Sequence, residues 1–64
     1  MDKGIWINKY VQNNHVESET FNNAFDAAYA AKRGSSRLNL PYLKTMVFET
    51  IQEGKNRFLY EISY

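Results

Sequence analysis

The sequence predicts a small α+β domain, in the order strand, helix, strand, strand, with a three-stranded antiparallel sheet and one helix packed on one face. Three observations carry that prediction. Residues 4–12 alternate in polarity and are rich in β-branched and aromatic types. Residues 20–33 hold an apolar stripe at helical spacing between a start and a stop signal. Residues 45–52 and 57–64 form two further β-rich runs on either side of Glu53-Gly54-Lys55-Asn56. With 64 residues in all, residues 1–64 read as a single domain.

In the first strand Ile5, Ile7 and Val11 point one way, with Lys9 as the exception, and Trp6, Asn8, Tyr10 and Gln12 point the other. Asn13-Asn14 ends the run with turn chemistry. In the helix, Phe21, Ala24, Phe25 and Ala28 fall at i, i+3, i+4 and i+7, and Asn22, Asn23 and Asp26 lie opposite them. Ser18 or Thr20 supplies an N-cap, and Glu17 and Glu19 sit near the positive end of the helix dipole. Lys32 and Arg33 occupy the last turn and Gly34 the position just past it. Residues 34–39 are a connecting loop.

The C-terminal third admits two readings. The density of Thr45, Val47, Phe48, Thr50 and Ile51, which lose rotamer freedom in a helix, favours a β-hairpin. In the alternative, residues 41–53 form a second helix and the sheet shrinks to two strands. Asn39 would cap that helix, Pro41 would open it, Gly54 would end it, and Leu40, Leu43, Val47 and Ile51 would form its stripe.

With the hairpin, one sheet face (Ile5, Ile7, Val11, Val47, Ile51, Phe58, Tyr60 and Ile62) meets the helix stripe and forms the core. The other face carries Trp6, Tyr10, Phe48 and Leu59 beside Asn8, Thr50, Lys55 and Arg57. One helix covers one face. The chain has ten aromatic residues, five Tyr, four Phe and one Trp. A domain of this size hides only about 60% of its unfolded surface, so some of those rings must lie at a surface. An exposed cluster of rings rimmed by polar groups marks an interaction surface.

Composition narrows the function classes. Eight Lys and Arg balance seven Asp and Glu, for a net charge of +1, which argues against a strongly electrostatic nucleic-acid binder and rules out an acidic DNA mimic. No cysteine is present and His15 is the single histidine, so disulfides and thiolate or His-cluster metal sites are excluded. His15 reads as a turn residue, and no nucleophile lies at a recognisable spacing from it. No enzyme activity and no cofactor are expected. Seven asparagines, with abundant Lys, Ile, Tyr and Phe, match what AT-rich genomes encode, as small phage and mobile-element proteins often do. No apolar run is long enough to span a membrane, and the N-terminal residues lack the apolar stretch of a signal peptide. The expected location is the cytoplasm, that of the host if the chain is phage-encoded.

The functional expectation is a small non-enzymatic interaction protein that modulates or inhibits a cellular protein by occlusion. Trp6, Tyr10, Phe48 and Arg57 are the expected contacts, since such residue types dominate interface energies. The alternative is a nucleic-acid-binding module that stacks bases on the rings and holds phosphates with Lys32, Arg33, Arg37, Lys55 and Arg57. The run from Lys32 to Arg37 follows a helix and lacks phosphate-loop spacing. So small a core also makes self-association into a homodimer an expectation on thermodynamic grounds.

Overall fold

The computed structural model describes residues 3–64. It contains β1 (Gly4–Gln12), β2 (His15–Phe21), α1 (Ala24–Lys32), β3 (Tyr42–Gln52) and β4 (Lys55–Ile62). The strands form one antiparallel sheet in the order β2-β1-β3-β4. The class is α+β with one helix, as expected, but the sheet has four strands rather than three.

The additional strand is β2. Gln12 pairs with His15 across a two-residue loop, and Asn13 takes φ 57°, a left-handed conformation that asparagine tolerates. The strand continues through Val11↔Val16 to Trp6↔Phe21. Glu17 and Glu19 are therefore strand residues, and neither Ser18 nor Thr20 caps the helix. The N-cap is Asn23, whose Oδ1 accepts from the Asp26 backbone N–H at 2.8 Å. Gly34, with φ 81°, closes the helix by donating to the Ala31 carbonyl at 2.9 Å, in the role expected of it.

β2 and β3 both run antiparallel to β1, so they run parallel to each other with β1 between them. A hairpin cannot make such a connection; a crossover does, and α1 is that crossover. It packs on β1 and β2.

The helix is rotated from the expected stripe. Ala27, Ala30 and Ala31 are buried, whereas Phe25 and Tyr29 are 78% and 68% exposed. The sheet face beneath it is also the opposite of the one expected. Asn8 Nδ2 donates to the Ala27 carbonyl at 2.9 Å, which fixes Trp6, Asn8 and Tyr10 on the helix side. Ile5, Ile7 and Val11 face away. Large rings on the sheet and small alanines on the helix are complementary: the backbone of α1 approaches closely and Tyr10 fills the space, with no surface left exposed. Phe25 and Tyr29 on that face would have held the helix off.

Residues 42–62 form the hairpin, not the alternative helix over 41–53. Gly54 makes its turn with φ 79°. Val47 is buried as expected, but Ile51 is exposed because the register slips between Thr50 and Gln52. A second slip sets Phe48 against Phe58 but Val47 against Tyr60, which leaves Leu59 as the extra residue of a bulge. Phe58 therefore faces away from the helix, while Tyr60 and Ile62 lie on the helix side.

The core is partly polar. Besides the alanines it holds Tyr10, Leu40 and Val47, together with Asn8, Ser36 and Thr45. The Thr45 hydroxyl donates to Asn8 Oδ1, Asn8 Nδ2 also reaches the Tyr10 hydroxyl at 3.3 Å, and that hydroxyl donates to Glu19 Oε1 at 2.5 Å. Ser36 Oγ accepts from the backbone N–H groups of Leu38 and Leu40 at 3.2 and 3.3 Å, turning the loop so that Leu40 enters the core. Burying these polar groups is tolerable because almost every one finds a partner.

Candidate interaction surface

The helix-free face is built by alternation. β1 contributes Ile5, Ile7, Lys9 and Val11, β2 contributes Val16, Ser18 and Thr20, β3 contributes Lys44, Met46 and Phe48, and β4 adds Phe58 and Glu61. The register brings these residues side by side. Ile5 lies beside Phe48, which lies beside Phe58; Ile7 lies beside Met46; Val11 lies beside Val16. The Phe48 and Phe58 rings meet edge to face, with centroids 5.6 Å apart and planes at 68°. An apolar band thus spans β1, β3 and β4, with the Val11–Val16 pair set apart from it by Lys9 and Ser18, and among the described residues no element packs over it.

Two lysines on this face are held down by neighbours. Lys9 Nζ donates to Ser18 Oγ at 2.9 Å, and Lys44 Nζ lies 2.9 Å from Glu61. These contacts keep the ammonium groups beside the band. Phe58 is about half exposed and Val16 is 57% exposed. Ile5, Ile7, Met46 and Phe48 are half-buried by their neighbours, so the apolar surface is open in part.

Of the four expected contact residues, Phe48 alone lies on this face. Tyr10 is fully buried under the helix and Trp6 is half-buried on the same side. Arg57 sits opposite Glu49 on the helix side of β4, with Nη2 2.9 Å from its carboxylate. Ile5, Ile7, Met46 and Phe58 belong to the band and were not among the expected contacts. Cross-strand pairing assembles them, and no short stretch of sequence signals it.

The five cations of the nucleic-acid alternative are divided between two edges of the sheet. Arg33 and Arg37 lie against Glu19 and Glu17 of β2, at 3.9 and 3.8 Å. Lys32 belongs to the same end of α1, while Lys55 and Arg57 lie on β4. β2 and β4 are the two outer strands, three strand spacings or about 14 Å apart. They do not form one basic patch.

The helix side carries the main electrostatic perturbation. Burial, reinforced by the hydrogen bond to Glu19, pushes the Tyr10 phenol up to about 12, so it keeps its proton and acts as a donor. Glu17 Oε2 is buried without a hydrogen-bond partner. Among the described residues no group of three or more His, Cys, Asp or Glu side chains could hold a metal ion. Two shallow depressions, one lined by Lys3, Gly4, Ile5, Asn22 and Thr50 and the other by Arg33, Ser35, Ser36 and Arg37, open to solvent. No helix among the described residues is long and apolar enough to cross a membrane.

No family model, curated protein or solved structure matches the chain.

Proposed function

We propose that this chain is a small non-enzymatic interaction protein that binds a cellular protein through its helix-free sheet face and modulates that protein by occlusion. One observation carries the reading: the edge-to-face pair Phe48–Phe58, flanked by Ile5, Ile7 and Met46, lies on a face left open by the fold. Contiguous apolar surface of this kind is costly to leave in water and is the usual core of an interface, with polar groups at its rim. Here Lys9, Lys44 and Glu61 form part of that rim. The reading places the protein in the cytoplasm, and its asparagine-rich composition fits a phage or mobile-element gene whose product acts on host machinery.

The test is capture from cytoplasm of the encoding or host cell with three tagged proteins of verified fold. These are the unmodified chain, an Ile7→Ser/Phe48→Ser variant and a Phe25→Ser/Tyr29→Ser variant. A partner retained by the first and third but lost from the second supports the reading. Retention by the sheet-face variant with loss from the helix variant would overturn it and assign binding to the outer surface of α1.

A further inference from the structure

We infer that the partner of the helix-free face sets a carboxylate on Lys9 while its apolar side chains cover Ile7, Met46 and Phe48. The inference rests on the reading of that face as the protein-binding surface, and it specifies the chemistry that the partner carries there.

Lys9 breaks the apolar alternation of β1. On the helix-free side it stands between Ile7 and Val11, where an apolar residue would continue the row. The register sets it directly opposite Lys44 of β3. Side chains so placed have Cβ atoms about 5 Å apart, and like charges there are destabilising. The two lysines lean away from each other, Lys9 toward Ser18 of β2 and Lys44 toward Glu61 of β4. Only Lys44 gains a carboxylate in this way, at 2.9 Å. Lys9 has the uncharged Ser18 hydroxyl at 2.9 Å. Among the described residues no acidic group lies within ion-pair distance of it. The carboxylates of β2 and β3, those of Glu17, Glu19 and Glu49, project on the helix side of the sheet.

Position decides what answers that charge. Lys9 sits at the margin of the apolar band, about 7 Å along β1 from Ile7. A protein that covers Ile7 and Met46 brings its own rim over the ammonium group and takes water from it. Removing water from an unpaired cation is costly, and a carboxylate offsets the cost. A lysine or arginine at that point of the partner would repel Lys9 and Lys44 together, so the same feature selects against basic partners. A polyanion does not fit the arrangement. Along β1 the neighbours of Lys9 on this face are Ile7 and Val11, and across the sheet Glu61 stands beyond Lys44. A phosphate backbone passing Lys9 would meet no continuing track of cations. A single acidic side chain at the edge of an apolar patch meets the charge that is there.

Carbodiimide cross-linking of the complex captured from cytoplasm tests this, because the reagent joins an amine to a carboxylate only where the two are in contact. The expected product is an amide between Lys9 and an Asp or Glu of the retained protein, mapped by mass spectrometry of the digest. In the same capture K9Q is expected to weaken retention by about tenfold, and K9E by more. Retention of the unmodified chain is expected to fall with added salt more steeply than that of K9Q. Both variants relieve the like-charge pair with Lys44, so their urea midpoints are expected to match or exceed that of the unmodified chain. Loss of retention then reports a lost contact and not a lost fold. A sheet-face partner that K9E retains undiminished, or whose cross-links avoid Lys9, would overturn the inference and leave the sheet-face reading standing. Capture abolished by nuclease would also overturn it, by giving Lys9 to phosphate. Failure to capture any protein that depends on Ile7 and Phe48 would overturn both.

Discussion

Asn8 holds the helix to the sheet: its amide donates to the main-chain carbonyl of Ala27 at 2.9 Å, across 19 residues of sequence. Its side-chain oxygen accepts from Thr45, so one buried residue ties α1 to β1 and β1 to β3. Truncation would leave the Ala27 carbonyl, the Thr45 hydroxyl and the Tyr10 hydroxyl short of partners in a site from which water is excluded. Unsatisfied buried groups cost about 1–3 kcal/mol each, though the loss is shared where neighbours re-pair. Asn8→Ala is therefore expected to lower unfolding free energy by roughly 2–4 kcal/mol in urea titration. Lys9→Ala, one residue along on the opposite face, is expected to change it by less than about 1 kcal/mol. Equal effects of the two would refute the assignment of faces.

The Tyr10 phenol gives the fold an alkaline limit. Its folded value is raised from 10.0 to about 12, first by burial and then by the hydrogen bond to Glu19. The folded state thus favours the neutral phenol more than the unfolded chain does. That contribution is complete below pH 10 and is lost as pH rises from there through about 12. Tyr10→Phe removes this dependence and also strips Glu19 of its donor, which is expected to cost about 1–2 kcal/mol at neutral pH. Denaturation midpoints of both proteins across the alkaline range isolate Tyr10, because the other tyrosines titrate in each. Parallel pH profiles would show that Tyr10 ionises like an exposed phenol.

The rotation of α1 makes a prediction opposite to that of its sequence stripe. Ala27 and Ala30 face the sheet with almost no exposed surface, and Phe25 and Tyr29 face solvent. Ala27→Leu and Ala30→Leu force extra carbons into a close helix–sheet contact and are each expected to destabilise by about 1–3 kcal/mol. Phe25→Ala and Tyr29→Ala are expected to stay within roughly 0.5 kcal/mol of the unmodified protein. Thermal melts rank the four, and the reverse order would mean that the aromatic stripe packs inward.

What was legible in the sequence is what local chemistry decides. β1, the helix and its Gly34 terminus, and the β3–β4 hairpin each have turn, cap and propensity signals within a few residues. β2 does not. Glu17, Ser18, Glu19 and Thr20 look like the approach to a helix N-terminus, and only pairing with β1 makes them a strand. The choice of face was degenerate for a different reason. β1 is apolar on both sides, and α1 carries apolar residues around most of its circumference. Contacts far apart in sequence broke the tie, through the buried set of Asn8, Thr45, Tyr10 and Glu19. Phe48 was legible as a residue of the helix-free face because β3 alternates without interruption there. Phe58 was not, because the bulge at Leu59 reverses the phase of β4.

Two tight turns test the strand register through the backbone alone. Gly54 closes the β3–β4 hairpin at φ 79°, and a Cβ built there meets nothing within 4 Å. Any cost of substitution therefore comes from the left-handed backbone and not from crowding. Left-handed conformation costs an ordinary L-residue roughly 1–2 kcal/mol, and asparagine less, since its side chain hydrogen-bonds locally. Gly54→Ala is expected to destabilise by about 1 kcal/mol, and Gly54→Asn, though larger, by less. At Asn13, with φ 57° in the β1–β2 turn, the same logic ranks glycine as neutral or stabilising and alanine as destabilising. Urea midpoints for the four variants decide it. If alanine proves milder than asparagine at Gly54, size rather than backbone conformation governs the turn, and the hairpin closes in a different geometry.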